Sequence, residues 1–220
     1  MIISSIWTLR WLGISGVFGA VIFIAGDLLY NHIPGSKKSA AEKMCTLPES
    51  RLLNAGTLGL IGCWFYTLAS AHLYIAFQSV GSIFGLAVFL AFGAIMICYG
   101  ISHTAYFAIA SGAKMAVRFG SDAEIGGKMG SSFFQRLVYI TYVPVVVASL
   151  MMVYGILSGR SLYPKWMVLC LPVVIYLLKT LVVRLLKGRL REIINDSYDN
   201  ISLFVFYAIS TIVLWNVVIH

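Results

Sequence analysis

Four ionisable side chains interrupt long apolar stretches of this 220-residue chain: Asp27, His72, His103 and Lys179. Charge inside a bilayer is costly, so such residues pair with one another or line a polar pocket, and each is a candidate site. Asp27 and His103 offer the most definite chemistry. A carboxylate set against an imidazole fixes its tautomer and stabilises its charged form, which serves proton abstraction, a proton relay or ligand binding alike. These two are the candidate catalytic, acid/base pair.

Polar residues at helical spacing accompany them. Tyr99, Ser102, His103 and Tyr106 fall three, one and three residues apart, a single stripe on a helix. Tyr30 and His32 follow Asp27, and Tyr139, Thr141 and Tyr142 lie in a later apolar stretch. Tyr176 and Thr180 flank Lys179, while Tyr207, Ser210 and Thr211 come last. If these stripes face inward they outline a polar cavity. Tyr30, His32, Ser102, Tyr106, Tyr142, Lys179 and Tyr207 would then be its substrate contacts.

Membrane helices must position these residues. Six apolar stretches, at 11–30, 52–77, 83–111, 135–157, 166–186 and 201–219, each match the ~20 residues a helix needs to cross a bilayer. The expected fold is all-α and polytopic: six transmembrane helices in one membrane domain over residues 1–220. Of the Lys and Arg residues, only Arg10, Arg160 and Lys165 fall outside the first, third and fifth connections and the helix ends that adjoin them. Cytoplasmic loops collect positive charge, so those connections face the cytoplasm and both termini face out. At a rise of ~1.5 Å per residue, Asp27, His103 and Lys179 then share a layer near the cytoplasmic leaflet. His72 lies nearer the outer face.

Composition points the same way. Sixty per cent of the residues are hydrophobic and only 11% charged, too few to cover a water-soluble domain. The net charge of +8 sits beside the membrane spans, where it meets anionic headgroups; membrane lipids, not nucleic acid, are the expected partners. Cys63, Cys98 and Cys170 lie within apolar stretches and Cys45 in a connection, with no CxxC pair, so no disulfide is expected. No small-residue cleavage site follows the first stretch, which therefore reads as an uncleaved span.

Local signals fill in the connections. Ser39–Glu42 and Thr46–Glu49 both have capping-box spacing, the second with Pro48 at a first helical position. A short interfacial helix should precede the second span. Residues 120–130 resemble a phosphate loop, but Asp122 and Met129 break the pattern, leaving a mobile linker. The fifth helix is expected to continue as a basic arm from Arg184 to Ile194. Gly13, Gly16 and Gly19, and again Gly56, Gly59 and Gly62, provide stripes on which helices approach closely.

Ordinary roles stand beside the chemical ones. Asp27 can cap a helix end, His103 and His72 can bridge packed helices, and the tyrosines can be interfacial or packing residues. Lys179 can extend its ammonium to the headgroups along an apolar stem. Ser102 adjoins His103 but does not face it on a helix, which argues against a nucleophile–base pair. A zinc site needs three or four ligands, and no His cluster has that spacing; His32, His103 and Asp27 are the least unsuitable set. Neither a metal nor a cofactor is expected.

The segments Gly26-Asp27-Leu28-Leu29-Tyr30-Asn31-His32 and Leu47-Pro48-Glu49-Ser50-Arg51-Leu52-Leu53-Asn54-Ala55-Gly56 resemble those of small bacterial membrane proteins of unknown function. That resemblance covers the first two spans and implies a bacterial inner membrane, but no activity. The His/Asp/Tyr-bearing six-helix layout also resembles membrane enzymes that isomerise or hydrolyse lipids, including sterol-isomerase-like folds, in architecture only. The first functional expectation is an enzyme acting on a lipid-like or amphipathic molecule by acid/base chemistry. The alternatives are a small proton- or cation-coupled transporter or channel, and a structural or assembly protein packing through its glycine stripes.

Overall fold

The structure is a computed structural model that describes residues 6–36 and 38–216. Lys37 of the first connection and residues 217–219 of the sixth apolar stretch lie outside the described residues. Four helices are long and apolar: α1 (Ile6–Asn31), α3 (Glu49–Phe77), α4 (Ser82–Arg118) and α5 (Ala123–Leu157). A short α2 (Ala40–Cys45) precedes α3, and no strand occurs among the described residues.

The expectation of six membrane-length helices is corrected to four. Residues 165–185 instead form a 3-10 turn, Lys165–Cys170, then α6 (Pro172–Leu177) and α7 (Lys179–Leu185). Pro172 has no N–H to extend a preceding ladder, so it restarts the helix at its first position. After α8 (Gly188–Asp196), α9 (Tyr198–Val213) has 16 residues, fewer than the ~20 a full crossing takes.

The chain still runs along the bundle twice more. Leu162 donates to the Ala76 carbonyl at one end, 3.0 Å. At the other, Glu192 accepts from the Gly35 N–H and Asp196 faces His32. α9 then returns and brings Trp215 to Arg10, whose guanidinium donates to the Trp215 carbonyl at 2.6 Å. The same guanidinium lies against the rings of Trp7 and Trp215.

One capping signal forms as expected, and three other boundaries differ from expectation. Ser39 and Glu42 form the reciprocal capping box of α2. Thr46 does not cap α3: its hydroxyl bonds the Lys43 carbonyl, and Pro48 occupies the N-cap. The expected linker at 120–130 is mostly helix, because Asp122 accepts from the N–H groups of Glu124 and Ile125 and starts α5 at once. The basic arm does not continue the preceding helix. Leu186 is extended and Gly188 takes φ +57°, a turn that a Cβ would strain.

α3 is the central element, packed against α1 on one side and α4 on the other. α9 lies on α1, α5 on α4, and α6 on α9. Tyr66, Leu73 and Phe77 of α3 are fully buried with Phe23, Met96 and Phe206. The outer surface is equally apolar, with Trp11, Phe18, Leu60, Trp64, Ile83, Leu90, Ile97 and Leu150 exposed. So wide an exposed apolar surface needs a nonaqueous neighbour.

Small residues set the closest approaches. A side chain at Gly16 would overlap the Tyr207 ring, and one at Gly112 would overlap the Gly126 carbonyl. Gly93 faces open space. Gly112→Leu should therefore cost about 1–3 kcal/mol through overpacking, whereas Gly93→Leu should be near neutral. Thermal unfolding in detergent measures both, and equal effects would contradict the packing.

Candidate functional site

The site begins with two glycines. Gly26 of α1 and Gly59 of α3 leave the space that the His103 ring of α4 fills, and a Cβ at either would press on that ring. Phe23 meets the imidazole edge-on, with ring centroids 4.9 Å apart. Held there, His103 places Nε2 at 3.5 Å from Oδ1 of Asp27. The candidate acid/base pair is thus brought together by three different helices.

Asp27 has a second partner. Its Oδ2 accepts from Asn200 Nδ2 at 2.7 Å, and the Asn200 Oδ1 accepts from the Tyr66 hydroxyl at 3.0 Å. The two bonds orient the amide unambiguously, since a carboxylate only accepts and a carbonyl oxygen needs the phenol's proton. Tyr66, Asn200, Asp27 and His103 form one polar row across α3, α9, α1 and α4.

This row borders a cavity of about 470 Å³, within the size of small-molecule sites. Its lining changes character along the bundle. On α4 it runs from Phe92, Ile95 and Met96 to Tyr99, Ser102, His103 and Tyr106. On α5 it runs antiparallel, from Met152, Ala148 and Val145 to Tyr142 and Thr141. One end is hydrocarbon and the other largely polar, with Val138 and Phe134 as its apolar exceptions on α5, and the Asp27–His103 pair lies in the polar part about one turn past Tyr99.

The cavity reaches the surface beside Tyr142 of α5 and Tyr176 of α6, which are 51% and 40% exposed. Helix α5 packs mainly on α4, with smaller contacts to α2 and the 3-10 turn and hardly any to α6, so this side stays open. Farther toward the basic end, Lys179 Nζ lies 3.9 Å from Oδ1 of Asp199 and near the rings of Tyr176 and Tyr198.

The predicted contacts divide into two groups. Ser102, Tyr106, Tyr142 and Lys179 line the cavity with Asp27 and His103. Tyr30, His32 and Tyr207 do not. The Tyr30 hydroxyl donates to the His103 carbonyl at 3.2 Å and its ring stacks on Tyr106, so it braces the site from behind. His32 turns to Asp196 at 3.5 Å. Tyr207 is fully buried between Gly16 and Tyr66. No three His, Cys, Asp or Glu residues converge among the described residues, and His32 points away from the Asp27–His103 pair it was grouped with.

His72 serves structure. Its Nδ1 lies 3.0 Å from the Leu9 carbonyl and its Nε2 2.6 Å from the Ser210 hydroxyl, which in turn meets Tyr163 at 2.7 Å. Because a carbonyl can only accept, Nδ1 carries the proton and Ser210 donates to Nε2 of the neutral ring.

Sequence reasoning missed Asn200, Asp199 and Asp196. The polar run Asn195-Asp196-Ser197-Tyr198-Asp199-Asn200 directly precedes the last apolar stretch, and reads as a loop. Its helical continuation into that stretch, with Asn200 one turn below Leu203, was the available signal.

Four helices long and apolar enough to cross a membrane suggest a multi-pass membrane protein. The chain belongs to DUF6796, a family of unknown function, whose model matches residues 1–216. No curated protein and no solved structure matches it.

The polar row predicts unequal costs. Asn200→Ala strips a buried carboxylate of its charged hydrogen bond and should destabilise by about 1.5–3 kcal/mol; Tyr66→Phe, losing a neutral bond, should cost about 1. Thermal unfolding of the two variants side by side gives the comparison. A larger loss for Tyr66→Phe would overturn the assignment of Asn200 as the carboxylate's main support.

Proposed function

We propose that this protein is a membrane enzyme acting on a lipid-like or amphipathic small molecule by acid/base chemistry, seated in a cell membrane with its basic end toward the cytoplasm. The observation that carries the reading is the carboxylate–imidazole pair in the polar-lined part of a cavity whose other part is lined by hydrocarbon. An amphipathic molecule lying along that cavity has its reactive region beside Asp27. The Asp27 side chain is more accessible than that of His103, 13% against 5%, so Asp27 exchanges the proton with the ligand. His103 backs the carboxylate from α4, and Asn200 fixes its orientation. Ser102, Tyr106, Tyr142 and Lys179 position the polar head.

A proton- or cation-coupled transporter is the second reading. It is favoured by the hydrogen-bonded set Tyr163, Ser210 and His72 on the far side of the stacked Tyr66–Tyr207 rings from Asp27. Proton-linked flux in proteoliposomes would support it over the enzyme.

Mass spectrometry of the purified protein, before and after incubation with a membrane lipid extract, tests the first reading. The wild type should retain one amphipathic species and change its mass or, for an isomerisation, its chromatographic retention and fragmentation at constant mass, while Asp27→Asn and His103→Ala remain folded and leave it unaltered. If the variants lose only thermal stability and process the extract as the wild type does, the acid/base assignment is wrong.

A further inference from the structure

We infer that the ligand's head group is a cation, an amine carried on a single apolar chain, which enters sideways between α5 and α6. The inference rests on the same cavity as the enzyme reading, though not on any proton transfer by Asp27 or His103. Three observations carry it. The first is electrostatic. Asp27, in the polar part of the cavity, has one hydrogen-bond donor, Asn200, and an imidazole 3.5 Å away, but no Lys or Arg partner among the described residues. Of the two lysines that line the cavity, Lys43 and Lys179, the latter already faces Asp199. A carboxylate held in an apolar setting is incompletely compensated by one amide, and a ligand cation supplies the missing charge.

The second observation is the company this carboxylate keeps. Phe23, Tyr99 and Tyr106 line the cavity around Asp27, and aromatic faces attract ammonium groups as they do no anion. Lys179 demonstrates the preference within the same cavity, its ammonium lying 5.8 Å from both the Tyr176 and Tyr198 ring centroids. The third is shape. From Tyr99, one turn along α4 from His103, the lining continues through Met96 and Ile95 to Phe92, about 10 Å at ~1.5 Å per residue. That length takes one short alkyl chain, and the exposed Tyr142 and Tyr176 flank the opening through which it would pass from surrounding lipid.

The test uses three probes of identical chain and different charge: octylammonium, octanol and octanoate. They are titrated calorimetrically into the full chain in nanodiscs of neutral lipid. Octylammonium should bind at least tenfold more tightly than either of the others. Asp27→Asn should reduce that preference to twofold or less. Tyr99→Leu, which keeps the carboxylate, should weaken octylammonium severalfold and leave octanol unchanged. Ser149→Trp, at the hydrocarbon end, should weaken all three alike.

Equal binding of the three probes by the wild type, preference for octanoate, or an ammonium preference that survives Asp27→Asn would each overturn the inference. The wild-type comparison needs no variant to fold. Loss of the charge preference leaves the acid/base reading open for an uncharged head. An ammonium-selective protein whose His103→Ala variant still processes ligand normally would overturn that reading and leave this one standing.

Discussion

A carboxylate surrounded by hydrocarbon must be compensated, and much of the geometry at the basic end of this bundle follows from how Asp27 is satisfied. Leaving an ionised group bare in such a place costs several kcal/mol, so the fold has to deliver polar partners to it. Asn200 arrives from α9, His103 from α4, and Tyr66 holds the amide from α3. Four helices are thereby fixed relative to one another at a single point, in a setting where apolar packing alone would tolerate sliding.

Small residues make that convergence feasible. His103 can reach across to Asp27 only because Gly26 and Gly59 carry no side chains there. The glycine stripes expected from sequence to bring helices close do more than pack backbones. At Gly59 the stripe holds an imidazole, and at Gly16 it holds the ring of Tyr207. Removing side chains from one helix creates sockets for bulky groups on the next, which explains how a bundle with so many buried aromatics stays tightly packed.

The cavity is the counterpart of this order. Helices α1, α3, α4 and α9 meet around the polar row, whereas α5 hardly touches α6 and leaves a lateral opening. The break of residues 165–185 into a 3-10 turn and two short helices belongs to the same picture. Pro172 stands at the first of those breaks, where the 3-10 turn ends and α6 begins. The expected fifth span therefore fails where the opening forms, and the two features share a wall at Leu171, Pro172 and Tyr176.

Long apolar runs declared α1, α3, α4 and α5 in the sequence, because hydropathy over ~20 residues is a local property. The rarity of charge within those runs singled out Asp27 and His103, and their common depth followed from helical rise alone. Depth, however, says nothing about rotation. Whether Tyr30, His32 and Tyr207 face the cavity or the packed interior depends on how each helix turns about its axis, and that is set by neighbours distant in sequence. The same holds for Asn200, 173 positions from the carboxylate it supports. Composition fixed which groups could not be left alone in lipid; tertiary packing chose their partners, since a hydrogen bond needs direction and a specific atom, while burial needs only an apolar surface.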